Sequence, residues 1–186
     1  MRMRPAVAIL SAVVVAALLA APALALAGSA GAKARAERYP TWYLAEGTIA
    51  WGFSTWITIE NPNDSEVTVR VTYMPTDGNT YTHDEKLFPN SHLTLWSSVI
   101  WEHIQGAKDF STKVECLEGL TICVDRTMRW TGKGAPSEEG HSSVGVTRPM
   151  TGWYFPEGST NWGFECWLLI QNPDENTPAV CDVTYM

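Results

Sequence analysis

Apolar and polar residues alternate with a period of two in several short stretches of the chain. In residues 53–60, Phe53, Ile57 and Ile59 fall on one face of an extended strand and polar residues fall mainly on the other. Residues 67–74 repeat the pattern, and the Asn61-Pro62-Asn63-Asp64 segment between them has turn chemistry. The pattern therefore predicts two half-buried strands that pair as a hairpin.

Five further stretches have the length and composition of strands, and turn residues lie between most of them. They are 81–87, which follows an Asp77-Gly78 turn, and 93–100, 110–117, 121–130 and 142–146. One helical turn is predicted within residues 99–105. Short strands at this spacing predict an all-β fold, an antiparallel immunoglobulin-like β-sandwich.

Two segments of the chain resemble each other. Residues 42–74, here the N-terminal copy, match residues 153–186, here the C-terminal copy, at fifteen positions once one residue is inserted in the second turn. The match includes Glu46 with Glu157 and Trp51-Gly52-Phe53 with Trp162-Gly163-Phe164. The period is 111 residues, close to the roughly 100 residues of one immunoglobulin-like domain.

The repeat predicts the domain organisation. Residues 42–152 form one full β-sandwich repeat, and residues 153–186 form the first hairpin of a second, truncated repeat. The alternative is that the C-terminal copy closes the first domain.

Three motifs in these copies resemble an uncharacterised family of exported bacterial repeat proteins. They are W-Y-x-x-E-G-[ST], W-G-F-x-x-W-x-x-x-x-N-P and V-T-Y-M, and residues 109–114, 125–128 and 140–146 are also similar to the family. The resemblance covers Trp42 to Met186. It implies a secreted or cell-surface protein with several copies in tandem, and it implies no activity.

The amino-terminal residues have the features of a secretory signal peptide. Arg2 and Arg4 precede the uncharged, largely apolar stretch 6–27, which ends in Ala25-Leu26-Ala27. We predict that residues 1–27 are a signal peptide, cleaved after Ala27, and that 28–41 are a linker. If the signal stays uncleaved, residues 6–27 are the expected membrane contact. Either outcome places the rest of the chain outside the cytoplasm.

The charge balance narrows the choice of partners. Removing Arg2 and Arg4 from the 13 basic residues leaves 11 against 20 acidic residues, a net charge of −9 for residues 28–186. Nucleic-acid binding requires a basic face, so no nucleic-acid partner is expected. Electrostatic attraction to anionic lipid is disfavoured for the same reason.

Four cysteines in an exported chain favour disulfides over free thiols. If hairpin turns lie between the members of each pair, Cys116 faces Cys123 and Cys166 faces Cys181, and these are the predicted bonds. A zinc site is the alternative, but spacings of seven and fifteen residues do not match the paired ligands of structural zinc sites.

Other candidate chemistry has a structural explanation in each case. Glu46 and Glu157 occupy one position of two copies, so each is expected to accept hydrogen bonds from a turn rather than to form a catalytic pair. His141-Ser142-Ser143 is expected at a turn or sheet edge, since no nucleophile elbow occurs. Oxygen ligands for calcium are Asp77, Asp84, Glu85 and the Asn63-Asp64 turn, but no known loop spacing appears. We predict no catalytic residues, no metal and no cofactor.

Tryptophan is the compositional outlier, with nine residues in 186. Trp42, Trp51 and Trp56 recur with their neighbouring glycines in both copies, which favours packing in and around the core. Exposed indoles would instead suit stacking on sugars. The candidate binding residues are Trp56, Trp96 and Trp101. The sequence predicts a non-enzymatic structural or adhesive surface repeat whose partner is envelope polysaccharide or another surface protein; the alternative is a dedicated carbohydrate-binding module.

Overall fold

The period-two stretches fold as strands. The structure is a computed structural model, and it describes residues 38–132 and 137–186. Within them lie eight strands and one helix. The bounds are β1 Thr41–Leu44, β2 Phe53–Asn61, β3 Val67–Pro75, β4 Tyr81–Leu87, β5 Ser91–Trp96, α1 Ser97–His103, β6 Phe110–Cys116, β7 Cys123–Trp130 and β8 Glu139–Val144.

The strands form two four-stranded antiparallel sheets that enclose one apolar core. Sheet I has the order β1-β6-β3-β4 and sheet II has the order β5-β2-β7-β8. Alternate residues of each inner strand are buried because successive side chains point to opposite faces. The chain is thus an all-β antiparallel sandwich, as the alternation predicts.

The predicted hairpin of residues 53–60 and 67–74 is wrong. β2 pairs with β5 and β7 in sheet II, whereas β3 pairs with β4 and β6 in sheet I. The turn at 62–66 therefore carries the chain from one sheet to the other. The strand order also departs from the immunoglobulin order, in which the first two strands pair within one sheet; here β1 pairs with β6.

The connection after β5 is helical rather than extended. The predicted strand 93–100 ends at Trp96, and α1 follows directly, so the prediction of a helical turn within 99–105 is confirmed in substance. Ile100 of α1 and Ile104 just after it are fully buried and extend the core. Burial of these two side chains outweighs the local preference for strand.

The C-terminal copy does not form the predicted hairpin, but it reproduces the turns of the N-terminal copy. No strand is assigned within residues 153–186. Trp162 has φ 53°, as Trp51 has φ 55°, and Phe164 N donates to Asn161 O at 3.0 Å, as Phe53 N donates to Ala50 O at 2.9 Å. The local turn is encoded by the sequence in both places.

The absence of strands in residues 153–186 has a structural explanation. In the N-terminal copy, β2 and β3 obtain all their ladder partners from β4 to β7, which are formed by residues 81–130. Residues 153–186 match β1 to β3 in sequence, and these three strands do not pair with one another in the N-terminal copy. A two-stranded ribbon is also marginal in water by itself.

Gly47, in the loop between β1 and β2, is predicted to be intolerant of a side chain. A Cβ atom at this position would clash with the ring of Phe110, which is buried in the core. We expect Gly47→Ala to lower the free energy of unfolding by about 1–3 kcal/mol, as overpacking does. Urea unfolding measures the change.

The control for this substitution is Gly152→Ala. A Cβ at Gly152 meets nothing within 4 Å. Equal stability of the two variants would show that the loop moves away from Phe110 at little cost, contrary to the expectation.

The predicted signal peptide, 1–27, and most of the predicted linker, 28–37, lie outside the described residues. Among the residues that the structure describes, no helix has the length and apolar character needed to span a membrane.

Candidate functional site

An indole pair lies on the outer face of sheet II, the face turned away from the core. Trp56 of β2 and Trp96 of β5 are directly opposite each other in the antiparallel register. Directly opposed residues point to the same face of a sheet with their Cβ atoms about 5 Å apart. Trp96 is 53% exposed, and the Arg129 guanidinium lies 5.8 Å from the ring centroid of the half-buried Trp56.

A shallow open groove of about 480 Å³ lies on the same sheet and begins at Thr58, the next outer-face residue of β2 after Trp56. Its wall carries hydroxyl, carboxylate, amide and imidazole groups. These come from outer-face residues of β2, β5 and β7 and from the turn before β5. The lining residues are Thr58, Glu60, Asn90, Ser91, His92, Cys123, Val124, Asp125 and Val144. Indole faces and hydrogen-bonding groups thus share one exposed surface.

Three further tryptophans, Trp42, Trp51 and Trp101, are divided between the core and the surface. Trp42 packs against the core and donates from Nε1 to the Ile122 carbonyl at 2.7 Å, as expected. Trp51 is 58% exposed with Lys108 Nζ over its ring, so it lies on the surface just before β2 and not in the core itself. Trp101 lies on α1 and is 50% exposed, away from the sheet register that joins Trp56 to Trp96.

Glu46 forms part of an ionic network around the buried guanidinium of Arg126, at the β7–β8 side of sheet II. Its Oε2 accepts from Nη1 of Arg126 at 2.9 Å, and Nη2 of Arg126 lies 2.7 Å from Nε2 of His141. Burial lowers the pKa of Arg126, and the Glu46 carboxylate opposes that shift. Burial and the Arg126 charge also lower the pKa of His141, which favours the neutral imidazole as the acceptor.

The network corrects the predicted role of Glu46, which binds a guanidinium rather than turn N–H groups. Arg126 was missed, although it alternates with Val124 and Met128 on an inner strand face where a charge needs a partner. Glu157, the counterpart of Glu46 in the C-terminal copy, is exposed. His141-Ser142-Ser143 lies in the edge strand β8, in agreement with the expected edge position.

The four cysteines are unpaired in the structure. Cys116 ends β6 of sheet I and is buried, whereas Cys123 begins β7 of sheet II and is exposed. The two do not face each other across a hairpin, so the geometric reason for pairing them fails. Cys166 and Cys181 are both exposed in the segment that lacks strands, and their predicted bond is not formed either.

The oxygen ligands considered for calcium are not brought together. Asp84 forms a two-point ion pair with Arg70 on the outer face of sheet I, and this guanidinium lowers the pKa of Asp84. Asp77 accepts a hydrogen bond from Asn79 N within its own turn. Glu85 lies on the opposite face of β4 from Asp84, since adjacent residues of a strand alternate.

A cluster of polar side chains lies where α1 covers β4. The rings of His83 and His103 stack with centroids 3.6 Å apart, and His83 Nε2 is 3.7 Å from Glu85 Oε1. Ligand atoms of these three residues all lie within 4.8 Å of one another. Burial and then the neighbouring His103 lower the pKa of His83 to about 4, while burial and Glu85 raise that of Tyr73 well above its usual value.

Comparison with known proteins supports the fold. No family model matches the chain, and no curated protein does. The chain is similar to the crystal structure of Thermotoga maritima 1070, with a TM-score of 0.51 and 18% identity over 60% of this chain and 97% of that one. Similarity to the Anabaena sensory rhodopsin transducer is weaker, with a TM-score of 0.37 and 18% identity over 47% of this chain and 94% of that one. At this identity the first likeness concerns the sandwich fold alone.

Proposed function

We propose that this protein is an exported, non-enzymatic adhesive module that binds neutral carbohydrate through the outer face of sheet II. The observation that carries the proposal is the opposed pair Trp56 and Trp96. An indole presents a flat apolar face that can stack on the apolar face of a sugar ring, and two neighbouring indoles can contact successive sugars of a polymer.

The surroundings of the pair suit a polyhydroxylated ligand. Glu60 and Asp125 offer carboxylate oxygens, which accept hydrogen bonds from sugar hydroxyls, and Thr58 can donate or accept. The groove is open to solvent, so its polar groups are accessible to a polymer. The net charge of −9 on residues 28–186 (11 basic against 20 acidic) disfavours acidic polysaccharides and favours neutral ones.

The cell surface as the site of action rests on the sequence. The signal-like stretch 1–27 supports export, and the resemblance to exported bacterial repeats supports a tandem arrangement at the surface. The recurrence of the Trp-Gly turn in both copies is consistent with a repeated unit. A second surface protein is the other class of partner for the same face.

The proposal is tested by titrating the full chain with soluble neutral and acidic polysaccharides while the intrinsic tryptophan fluorescence is followed. We expect saturable binding of a neutral polymer. Removal of one stacking ring costs about 1.4 kcal/mol, so Trp96→Ala should raise Kd about tenfold.

The matched control is Trp162→Ala, which removes an indole that is 84% exposed and lies outside both sheets. Binding that is unchanged in the double variant Trp56→Ala, Trp96→Ala would refute the proposed face. Loss of binding in Trp162→Ala with the double variant unaffected would place the ligand on the C-terminal copy instead.

A further inference from the structure

We propose that His83, Glu85 and His103 form a binding site for a divalent transition-metal ion of the zinc type. The ion would join α1 to β4 at the open edge of sheet I. This site is separate from the outer face of sheet II and does not depend on the carbohydrate proposal.

His83 and Glu85 occupy inner-face positions of β4, where apolar side chains are expected. His83 and Glu85 are two apart on β4, so both point to its inner face, between Tyr81 and the buried Leu87. Their register partners on β3, Val71 and Val69, are fully buried. Polar side chains on such a face lower stability unless something binds them.

The polar atoms at this position lack protein partners. Nδ1 and Nε2 of His83 and Oη of Tyr73 are all buried without a hydrogen bond within the described part of the chain. His83 exposes 11% of its side chain, and the Tyr73 ring stacks on it with centroids 5.6 Å apart. An imidazole with neither nitrogen hydrogen-bonded has a free lone pair available to an ion.

The distances fit a small ion better than a direct hydrogen bond. The 3.7 Å between His83 Nε2 and Glu85 Oε1 is too long for a hydrogen bond. Two ligands at about 2.0–2.1 Å from a tetrahedral zinc ion lie roughly 3.4 Å apart. Two histidines and one carboxylate are a donor set that zinc accepts, with a fourth position left for water.

One movement is required before the ion can bind. The His83 and His103 rings are parallel within 2°, and imidazole lone pairs lie in the ring plane. The His103 ring must therefore turn out of the stack to reach the same ion. His103 belongs to the last turn of α1 and is half-buried, so its ring is partly open to solvent.

Binding would fasten the two sheets at this edge. His83 and Glu85 belong to sheet I, while α1 continues directly from β5 of sheet II. A ligand that binds the folded chain alone stabilises it by mass action, so zinc should raise Tm.

The test is a titration of the full chain with ZnCl₂ after its thiols have been alkylated, because exposed Cys123, Cys166 and Cys181 would otherwise bind zinc. Calorimetry should give one site per chain. Cobalt(II) should develop the visible absorption of a four-coordinate site, and zinc should displace it. Second-shell changes weaken metal sites by about 10–100-fold, so removing a ligand in His103→Ala or Glu85→Gln should weaken binding at least about 100-fold.

His92→Ala is the control, since His92 is exposed on the outer face of sheet II. It should bind zinc as the unmodified sequence does, with the same rise in Tm. The proposal is overturned if the alkylated chain binds neither ion. It is equally overturned if His103→Ala and Glu85→Gln bind as tightly as His92→Ala.

Discussion

Replacing Glu46 with alanine is expected to lower the free energy of unfolding by about 3–5 kcal/mol, because it leaves the buried guanidinium of Arg126 without its anion. Arg126 is 5% exposed, and Glu46 provides it with both a carboxylate at 2.9 Å and a backbone carbonyl at 3.1 Å. The substitution removes the first of these acceptors. His141 cannot replace the lost charge, because an imidazole carries no negative charge in either of its protonation states. Urea unfolding followed by circular dichroism measures the loss.

The chain supplies its own control for this variant. Glu157 occupies the same motif position in the C-terminal copy but is exposed. Glu157→Ala should therefore leave the unfolding curve unchanged within error. A loss below about 1 kcal/mol for Glu46→Ala, or equal losses in the two variants, would contradict the buried network.

The second large effect is expected for Asn61→Ala. The Asn61 side chain is fully buried at the end of β2, and its Nδ2 donates to Ser65 O and Phe88 O at 2.9 Å, with a longer, shared contact to Leu87 O at 3.3 Å. Its Oδ1 accepts from N and Nδ2 of Asn63. Alanine leaves these groups unsatisfied at the point where the chain crosses between sheets, and we expect a loss of about 3 kcal/mol.

Asn172→Ala is the matched control, because Asn172 makes the equivalent local bonds to Thr177 O and Asp174 N at an exposed site. Thermal unfolding of both variants separates the local turn from the long-range bonds to Leu87 and Phe88. If Asn172→Ala lowers Tm as much as Asn61→Ala, the local turn carries the effect and the proposed role of the long-range bonds is wrong.

Strand positions could be predicted from the sequence, but strand pairing could not. The alternation in residues 53–60 and 67–74 specifies which side chains of each strand are buried. The same alternation is expected in a strand of sheet I and in a strand of sheet II, because both sheets cover the same core. The alternation therefore does not specify which strands pair. The sequence therefore predicts a hairpin at the Asn61-Pro62 turn, whereas the long-range bonds of Asn61 hold this turn as a crossing between the sheets.

The residues of the candidate sites differ in how far the sequence alone could predict them. Trp56 and Trp96 could be named from the sequence, but their opposition depends on β2–β5 pairing, which no local pattern specifies. His103 is 20 residues beyond His83 and meets it through the packing of α1 on β4. Arg126 could have been predicted to need an anionic partner, because it alternates with buried apolar residues along β7. The carboxylate of Glu46, in the repeated motif, is that partner.

The most direct test of carbohydrate binding by the outer face of sheet II is to observe the nine indole N–H resonances of the chain during titration with a neutral oligosaccharide. Trp56→Phe and Trp96→Phe would assign two of the signals. We expect the Trp56 and Trp96 resonances to shift together and saturate at one Kd, while that of Trp42, bonded to the Ile122 carbonyl, stays in place. Saturable shifts confined to Trp101 or to the tryptophans of residues 153–186 would contradict a binding face on sheet II.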